Sequence, residues 1–191
     1  MPTDSAISAS MPSCRHLLVS FSLLILPALV HGQWHGDERL ARNPLAAGAT
    51  VMGIAGYTRW PEAPLPLRMC VIGDGDLAES VRLHANRVQS ETPLTLRELD
   101  PARPDIADCD LVYFGNMSAE TVEALLRQLA GKPVLTLGEG AEFCSDGGMF
   151  CLDVVDGEIR FSANLDAISR STLRVNPQVL RISRQLRGQG V

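Results

Sequence analysis

The chain has 191 residues, of which 46% are hydrophobic and 20% are charged, and its formal net charge is −5. This modest negative charge argues against the strongly basic surface that binding to nucleic acid or to an anionic bilayer requires. The length corresponds to one domain that is large enough to bury a substantial core.

The N-terminus has the pattern of an export signal. Basic residues precede an apolar run from Leu17 to Val30, and cleavage is expected near Gly32 and Gln33. The run is about 14 residues long, whereas a membrane-spanning helix needs ~20. We therefore expect residues 1–32 to be a cleaved signal peptide. Residues 33–191 would form a single periplasmic domain that does not insert into the membrane.

Four cysteines remain after cleavage, namely Cys70, Cys109, Cys144 and Cys151. An even number of thiols in an exported chain indicates two disulfides, for which three connectivities exist. Cys70 lies on the first predicted strand and Cys109 at the entry to the third. These strands could be neighbours in an open sheet, so a Cys70–Cys109 bridge is sterically plausible. Cys144–Cys151 would then close a short loop. We interpret both as structural bridges, and the short one is the better candidate for a redox-responsive clamp.

The predicted elements alternate between helices and strands in the first three quarters of the chain. A helix is expected from Asn43-Pro44 to about Arg59, because the residue before Pro61 avoids the α region. The next elements, in chain order, are a strand at Leu67–Ile72, a helix through Leu77, Val81, Ala85 and Val88 capped by Asp74 or Asp76, strands at Leu94–Leu99 and Leu111–Phe114, a helix capped by Ser118, and a strand at Pro133–Leu137.

The C-terminal part has a different pattern. Asp156-Gly157 is a strong two-residue hairpin signal between strands at Met149–Val155 and Ile159–Ala163. The final stretch is predicted to be helical, with Pro177 in its first turn. The predicted fold class is therefore α/β: a single domain with a mixed, mostly parallel sheet flanked by helices, followed by a C-terminal hairpin and terminal helices.

The sequence motifs do not favour catalysis. The segment Gly73–Ala78 matches the dinucleotide fingerprint G-x-G-x-x-A after a strand, and Glu98 ends the next strand. Asp74 and Asp76, however, would place two carboxylates beside a pyrophosphate. His84 lies in a predicted helix, and no G-x-S-x-G elbow or C-x-x-C pair occurs. We expect a protein that is not an enzyme and that has no catalytic residues, metal or cofactor.

Several segments recur in a characteristic order. They are Tyr57–Pro61, Cys109–Gly115, Pro133–Gly138, Gly147–Met149 and Ile159–Ala167. This order resembles the YfiR-like family of periplasmic proteins over nearly all of residues 44–187.

The resemblance implies a soluble repressor that acts by protein contact. It would bind the periplasmic domain of a YfiN-like inner-membrane diguanylate cyclase and hold that enzyme inactive. A YfiB-like outer-membrane lipoprotein of the OmpA type would sequester the repressor and release the cyclase. Cyclic-di-GMP would then rise and promote biofilm and small-colony growth.

Such a repressor needs an exposed apolar patch for its partners. Arg59 and Trp60 end the first predicted helix, and Arg and Trp are enriched at interface hot spots. Phe150 on the hairpin and Ile168 after it are expected to form one partner-binding patch, with Arg59 and Trp60 near it or near a second patch. The alternative is that Trp60, Phe150 and Ile168 belong to the core.

Two other functional classes remain open. One is a periplasmic small-molecule-binding sensor that uses the loops around Gly73 and Gly138 at the carboxyl edge of the sheet. The other is a minor envelope enzyme or a structural protein. A homodimer is also expected, because regulators are commonly two-fold dimers and the apolar final helix could supply the interface.

Overall fold

The computed structural model describes residues 44–91 and 93–182. The predicted signal peptide and its cleavage site lie outside the described residues. No helix within the described ranges is long and apolar enough to cross a membrane.

The elements follow one another in an α/β pattern. They are α1 (Ala46–Gly56), β1 (Thr58–Arg59), β2 (Leu67–Ile72), α2 (Asp76–Val88), β3 (Leu94–Leu99), β4 (Leu111–Phe114), α3 (Ala119–Leu129), β5 (Leu135–Glu139), α4 (Gly140–Ser145), β6 (Phe150–Val155), β7 (Glu158–Ala163), α5 (Leu165–Arg170), β8 (Arg174–Val175) and a 3-10 helix (Pro177–Arg181).

The main sheet has six strands in the order β3-β2-β4-β5-β6-β7. All neighbouring pairs are parallel except β6 and β7, which form the predicted antiparallel hairpin. Asp156 and Gly157 turn the chain there with φ of 54° and 73°, as a two-residue hairpin turn requires. The mixed, mostly parallel sheet flanked by helices confirms the predicted fold class.

Helices and loops cover the sheet on both faces, which explains the continuous apolar runs of its central strands. Every residue of β4 is buried, as are the last four residues of β2. One face packs with α1 and α2 into the larger cluster, which includes Met69, Tyr113 and Phe150. The other face packs with α3 into the second cluster, which includes Phe114 and Phe143.

Helix α1 depends on α2 for its N-terminal cap. The Ser80 hydroxyl of α2 accepts hydrogen bonds from the backbone N–H groups of Ala47, at 3.2 Å, and Gly48, at 3.5 Å. Leu45, at the N-cap position, provides no side-chain hydrogen bond. A Cβ on Gly48 would overlap the side chain of His84. Gly48 therefore lies at a close contact between the two helices.

The predicted bounds of the first and last helices were wrong. Helix α1 ends at Gly56, and Thr58 and Arg59 form the short strand β1, which pairs with β8. Near the C-terminus, Pro177 does begin the next turn, as predicted, but residues 177–181 form a 3-10 helix. The rest of the predicted final helix, with its proposed dimer interface, extends outside the described residues.

Candidate interaction surface and carboxyl-edge crevice

The structure contains the bridges Cys70–Cys109 and Cys144–Cys151, the pairing favoured by the sequence. Their Cα–Cα distances are 5.9 Å and 5.6 Å, within the range that disulfides span. Cys70, Cys109 and Cys151 are buried in the second cluster, and Cys144 packs against it. Both bridges therefore lie on the α3 side of the sheet.

The Cys70–Cys109 bridge secures a connection that contains no helix. Residues 100–110 join β3 to β4 across β2, and Ile106 is the buried apolar side chain of this connection outside the bridge. The disulfide ties the end of the connection to the middle of β2. It therefore holds the loop against a sheet face that a crossover helix would otherwise cover.

The Cys144–Cys151 bridge joins α4 to the start of β6. Phe143, the residue before Cys144, packs 5.2 Å from the ring centroid of Phe114. A Cβ on Gly138 would lie 2.5 Å from the Phe143 ring, and a Cβ on Gly148 would overlap that ring. The bridge and the aromatic anchor together fix α4 against the carboxyl edge of the sheet.

The exposure expected for Phe150 was wrong, because Phe150 is a core residue. Its side chain has 0% exposure, and its ring packs edge-on against Phe161 at 6.0 Å. Alternation along β6 does place Phe150 and Cys151 on opposite faces of the sheet. The face that carries Phe150, however, is covered by α1. Phe150 is therefore inaccessible to a partner in this conformation.

Arg59 and Trp60 lie together beside a groove at the amino edge of the sheet. Arg59 is exposed, and its guanidinium donates to the carbonyl oxygen of Gly56 at 3.0 Å. Trp60 is half-buried, and its Nε1 donates to the carbonyl oxygen of Asp110 at 3.2 Å. Trp60 and the segment Pro61–Pro66 line this open groove, which measures about 650 Å³.

Leu65 in the same segment is 79% exposed, the largest exposure among the large apolar side chains of the described residues. Leu65 was not among the predicted contact residues. The available signal was its position between Pro64 and Pro66, because prolines restrict the chain and favour a stiff surface connector. We define the Trp60 surface as Arg59, Trp60 and Leu65.

Ile168 lies on α5, beside the same cluster that buries Phe150. It is half-buried and packs against the larger cluster. Leu165, at the start of the same helix, is 72% exposed. Helix α5 therefore offers a second candidate surface, in which Ile168 is a supporting residue and Leu165 projects into solvent.

Asp110 organises the strand end beneath Trp60. Its carboxylate accepts from the Arg68 guanidinium at 2.7 and 2.9 Å, and from the Arg68 backbone N–H at 2.8 Å. The hydrogen bonds and charge of Asp110 raise the pKa of Arg68. This bidentate arrangement fixes the floor of the groove.

The carboxyl edge contains a crevice between β2, β4 and β5. Gly73 and Gly75 turn the chain with φ of 83° and 109°, and Asp74 bridges by its backbone to Asn116. Gly75, rather than the predicted Asp74 or Asp76, is the N-cap residue of α2. Gly73 thus allows the backbone of this turn to lie close to the backbone of Asn116.

Glu139, at the end of β5, lies against this turn. Its Oε1 accepts a hydrogen bond from the Tyr113 hydroxyl at 3.4 Å. Burial raises the pKa of Glu139, and Asp76 adds to the rise, while the Tyr113 hydroxyl and the Ala78 backbone amide oppose it. Burial also raises the pKa of Tyr113 well above its ordinary value.

The sequence profile of the YfiR/HmsC-like family matches residues 46–184. The chain therefore belongs to the YfiR/HmsC-like family, which confirms the resemblance seen in the sequence. This family consists of periplasmic regulators of cyclic-di-GMP signalling.

Among solved structures, the chain is similar to the L-threonine-O-3-phosphate decarboxylase from Porphyromonas gingivalis, with 12% sequence identity and a TM-score of 0.35. The similarity covers 82% of this chain and 66% of that one, just under two thirds of its length. At this TM-score the likeness carries no argument about function.

Proposed function

We propose that this protein is a periplasmic repressor of a YfiN-like inner-membrane diguanylate cyclase. It binds the cyclase's periplasmic domain and keeps the enzyme inactive, and a YfiB-like outer-membrane lipoprotein of the OmpA type relieves the inhibition by sequestering the repressor. It acts by binding and not as an enzyme. Membership of the YfiR/HmsC-like family over residues 46–184 is the observation that carries the proposal.

The Trp60 surface is the proposed contact for these partners. Arg59 and Leu65 are exposed beside a half-buried Trp60, a combination of apolar area and Arg that is typical of interface hot spots. The hydrogen bond from Trp60 to Asp110 holds the indole in place, so little side-chain freedom is lost on binding. Helix α5, with Leu165 and Ile168, is the alternative contact.

Binding of the isolated cyclase periplasmic domain tests the proposal. We expect Leu65→Ser to weaken binding at least severalfold, because it removes an exposed apolar contact. Leu83→Ser is the matched control, since Leu83 is 45% exposed on α2, outside this surface. If Leu65→Ser and Leu83→Ser bind equally well, the Trp60 surface is not the contact. Leu165→Ser then tests α5.

Cellular cyclic-di-GMP tests the regulatory part. Deletion of this gene should raise cyclic-di-GMP in cells that retain the cyclase and should have no effect in cells that lack it. An unchanged level in both backgrounds would contradict repression. We also propose that the protein is a homodimer, which sedimentation of the purified protein would test.

A small-molecule sensor is the second candidate. The crevice at the carboxyl edge forms a cavity of about 300 Å³ lined by Asn116, Met117 and Phe143 among others, and open parallel sheets bind ligands at this edge. A thermal-shift screen with small metabolites tests it, because binding raises the melting temperature by mass action. A ligand could act alongside the repressor function by changing its affinity for partners.

A further inference from the structure

All four polar groups of Asn164, the residue before α5, make hydrogen bonds. Its backbone N–H donates to the Met149 carbonyl oxygen at 2.9 Å, and its carbonyl oxygen accepts from the Ile168 N–H at 3.1 Å. Its side-chain Oδ1 accepts from the Ala167 N–H at 3.0 Å, which makes Asn164 the N-cap residue of α5. Its side-chain Nδ2 donates to the Cys144 carbonyl oxygen at 2.7 Å. The amide therefore joins α5 to α4.

This one side chain caps two helices. Cys144 lies in the last turn of α4, where carbonyl groups have no donor within the helix. The Gly147 N–H, at 3.2 Å, and Nδ2 of Asn164 supply donors to the Cys144 carbonyl. Within residues 44–91 and 93–182, no other hydrogen bond connects α4 with α5. An ionised aspartate has acceptors only, so the connection to α4 requires the amide.

The Cys144–Cys151 bridge holds the carbonyl to which the amide donates. It ties the end of α4 to Cys151 on β6. The carbonyl oxygen of Ser162, on β7, lies 3.9 Å from Sγ of Cys144 and 3.8 Å from Sγ of Cys151. Asn164 follows Ser162 by two positions. The bridge and the N-cap of α5 are therefore neighbours in both space and sequence.

Helix α5 depends on this cap because it is short. It contains six residues, Leu165–Arg170, and helices of that length are not stable in water without capping and packing. Ala167 is buried and Ile168 is half-buried, whereas Leu165 is 72% exposed. The cap therefore determines how firmly the first turn of α5 holds Leu165 in place.

The chain beyond α5 is held by separate contacts. Leu173 is buried, and the next two residues form β8, which pairs with β1. The Asn176 N–H donates to the Tyr57 carbonyl oxygen at 2.9 Å. A change at Asn164 should therefore affect the start of α5 and leave the Asn176 N–H as an internal reference.

We propose that Asn164 is a positioning residue that makes the N-cap of α5 depend on the Cys144–Cys151 bridge. With the bridge in place, the Cys144 carbonyl fixes the amide so that Oδ1 faces the Ala167 N–H. Without the bridge, the end of α4 moves, the amide turns, and the first turn of α5 opens more often. The link to partner binding rests on the proposed function: if α5 is the contact, an ordered Leu165 loses less conformational freedom on binding.

Amide hydrogen exchange of the purified protein alone tests the proposal. The reporters are the backbone N–H groups of Ala167 and Ile168, and the N–H of residue 176 is the reference for global opening. Cys144→Ser combined with Cys151→Ser should accelerate exchange at both reporters severalfold more than at the reference.

The decisive comparison adds the serine pair to Asn164→Asp. Aspartate keeps the acceptor for the N-cap and loses the donor to α4. In this background the serine pair should change the excess acceleration by less than about twofold, the usual limit of additivity between independent sites. Asn164→Ser, which also keeps a capping oxygen, repeats the comparison without an added charge.

Asn176→Asp is the matched control. Asn176 is also an N-cap residue, and its Oδ1 accepts from the Gln178 N–H at 2.9 Å. Its Nδ2 makes no hydrogen bond with α4 in the part of the chain that the structure describes. The full excess acceleration should therefore persist in the Asn176→Asp background.

Equal excess acceleration in the Asn164→Asp and Asn176→Asp backgrounds would overturn the proposal. So would an acceleration that the reference N–H shares, because that result reports a loss of global stability. No partner enters the experiment. A protein that fails to bind the cyclase would thus refute the proposed function and leave the exchange result standing.

Discussion

Trp60 donates a hydrogen bond of 3.2 Å from its indole Nε1 to the carbonyl oxygen of Asp110. The carboxylate of the same aspartate holds Arg68 through both its side chain and its backbone N–H. One residue at the start of β4 thus supports the proposed contact surface and joins it to β2.

Asp110→Ala should destabilise the protein by about 1.5–3 kcal/mol, because a nearly buried carboxylate that accepts three N–H groups is lost. Asp108→Ala is the control. Asp108 is largely exposed and lies 3.5 Å from Arg68, so its removal should change the free energy of unfolding by less than about 0.5 kcal/mol. Urea denaturation measures the free energy of unfolding of both variants. Equal losses would show that the buried pair with Asp110 stabilises the protein no more than the exposed contact with Asp108.

Phe150→Ala should cost about 3–5 kcal/mol, the range for removing a buried phenylalanine side chain. Its side chain is fully buried, and no partner can reach it in the folded state. Any loss of repression in this variant should therefore follow its loss of stability. Leu165→Ala, at a site that is 72% exposed, should unfold like the parent. A Phe150→Ala protein that melts normally but no longer binds the cyclase would contradict this assignment.

Alanine at two glycines of α1 should have opposite effects. At Gly48 the new Cβ would overlap His84 and lie 2.8 Å from the carbonyl oxygen of Ser80, so we expect a loss of about 1–3 kcal/mol from overpacking. At Gly56 a Cβ meets no atom within 4 Å. Gly56→Ala should be neutral or stabilise by up to about 1 kcal/mol. Thermal denaturation of both variants checks the contrast, and equal melting temperatures would refute the close contact.

The two disulfides should differ in their effect on stability. Cys70–Cys109 spans 39 positions and Cys144–Cys151 spans 7. In the chain-entropy model, removal of the first costs about 4 kcal/mol and removal of the second about 2–3 kcal/mol. Double serine variants at each pair, compared by urea denaturation, measure this difference, and the reverse order would contradict the entropic account.

Loss of the shorter bridge should also weaken repression. Cys144–Cys151 fixes α4 against the start of β6. Asn164, the N-cap residue of α5, donates a hydrogen bond to the Cys144 carbonyl oxygen at 2.7 Å, so removal of the bridge loosens the start of α5, the alternative contact. We expect Cys144→Ser with Cys151→Ser, or reducing conditions, to lower the affinity for the cyclase. Unchanged affinity in the double variant, at a temperature where it stays folded, would remove this role.

Local signals in the sequence predicted much of the fold. Ser118 caps α3 by accepting from the backbone N–H of Thr121, as expected, and Asp156-Gly157 forms the hairpin turn. Apolar runs of strand length located β2 and β4 because parallel strands buried on both faces have that pattern. These features depend on neighbouring residues, so they can be recognised without knowledge of the tertiary structure.

The features that the sequence did not reveal depend on distant contacts. Strand β1 forms because Thr58 and Arg59 meet Val175 and Arg174, and a two-residue strand has no periodicity to detect. The burial of Phe150 depends on α1, which packs against the hairpin from a hundred positions away in sequence. The setting of Glu139 likewise requires three elements to meet.

The pairing of β1 with β8, extended by a hydrogen bond of 2.9 Å from Asn176 N–H to the Tyr57 carbonyl, fastens the beginning of the fold to its end. A contact between segments so distant in sequence carries a high loop-closure cost. Helix α1 therefore cannot gain this contact until the last segment of the chain is available. A chain truncated before Arg174 would lack β8, the strand that pairs with β1 at the end of α1.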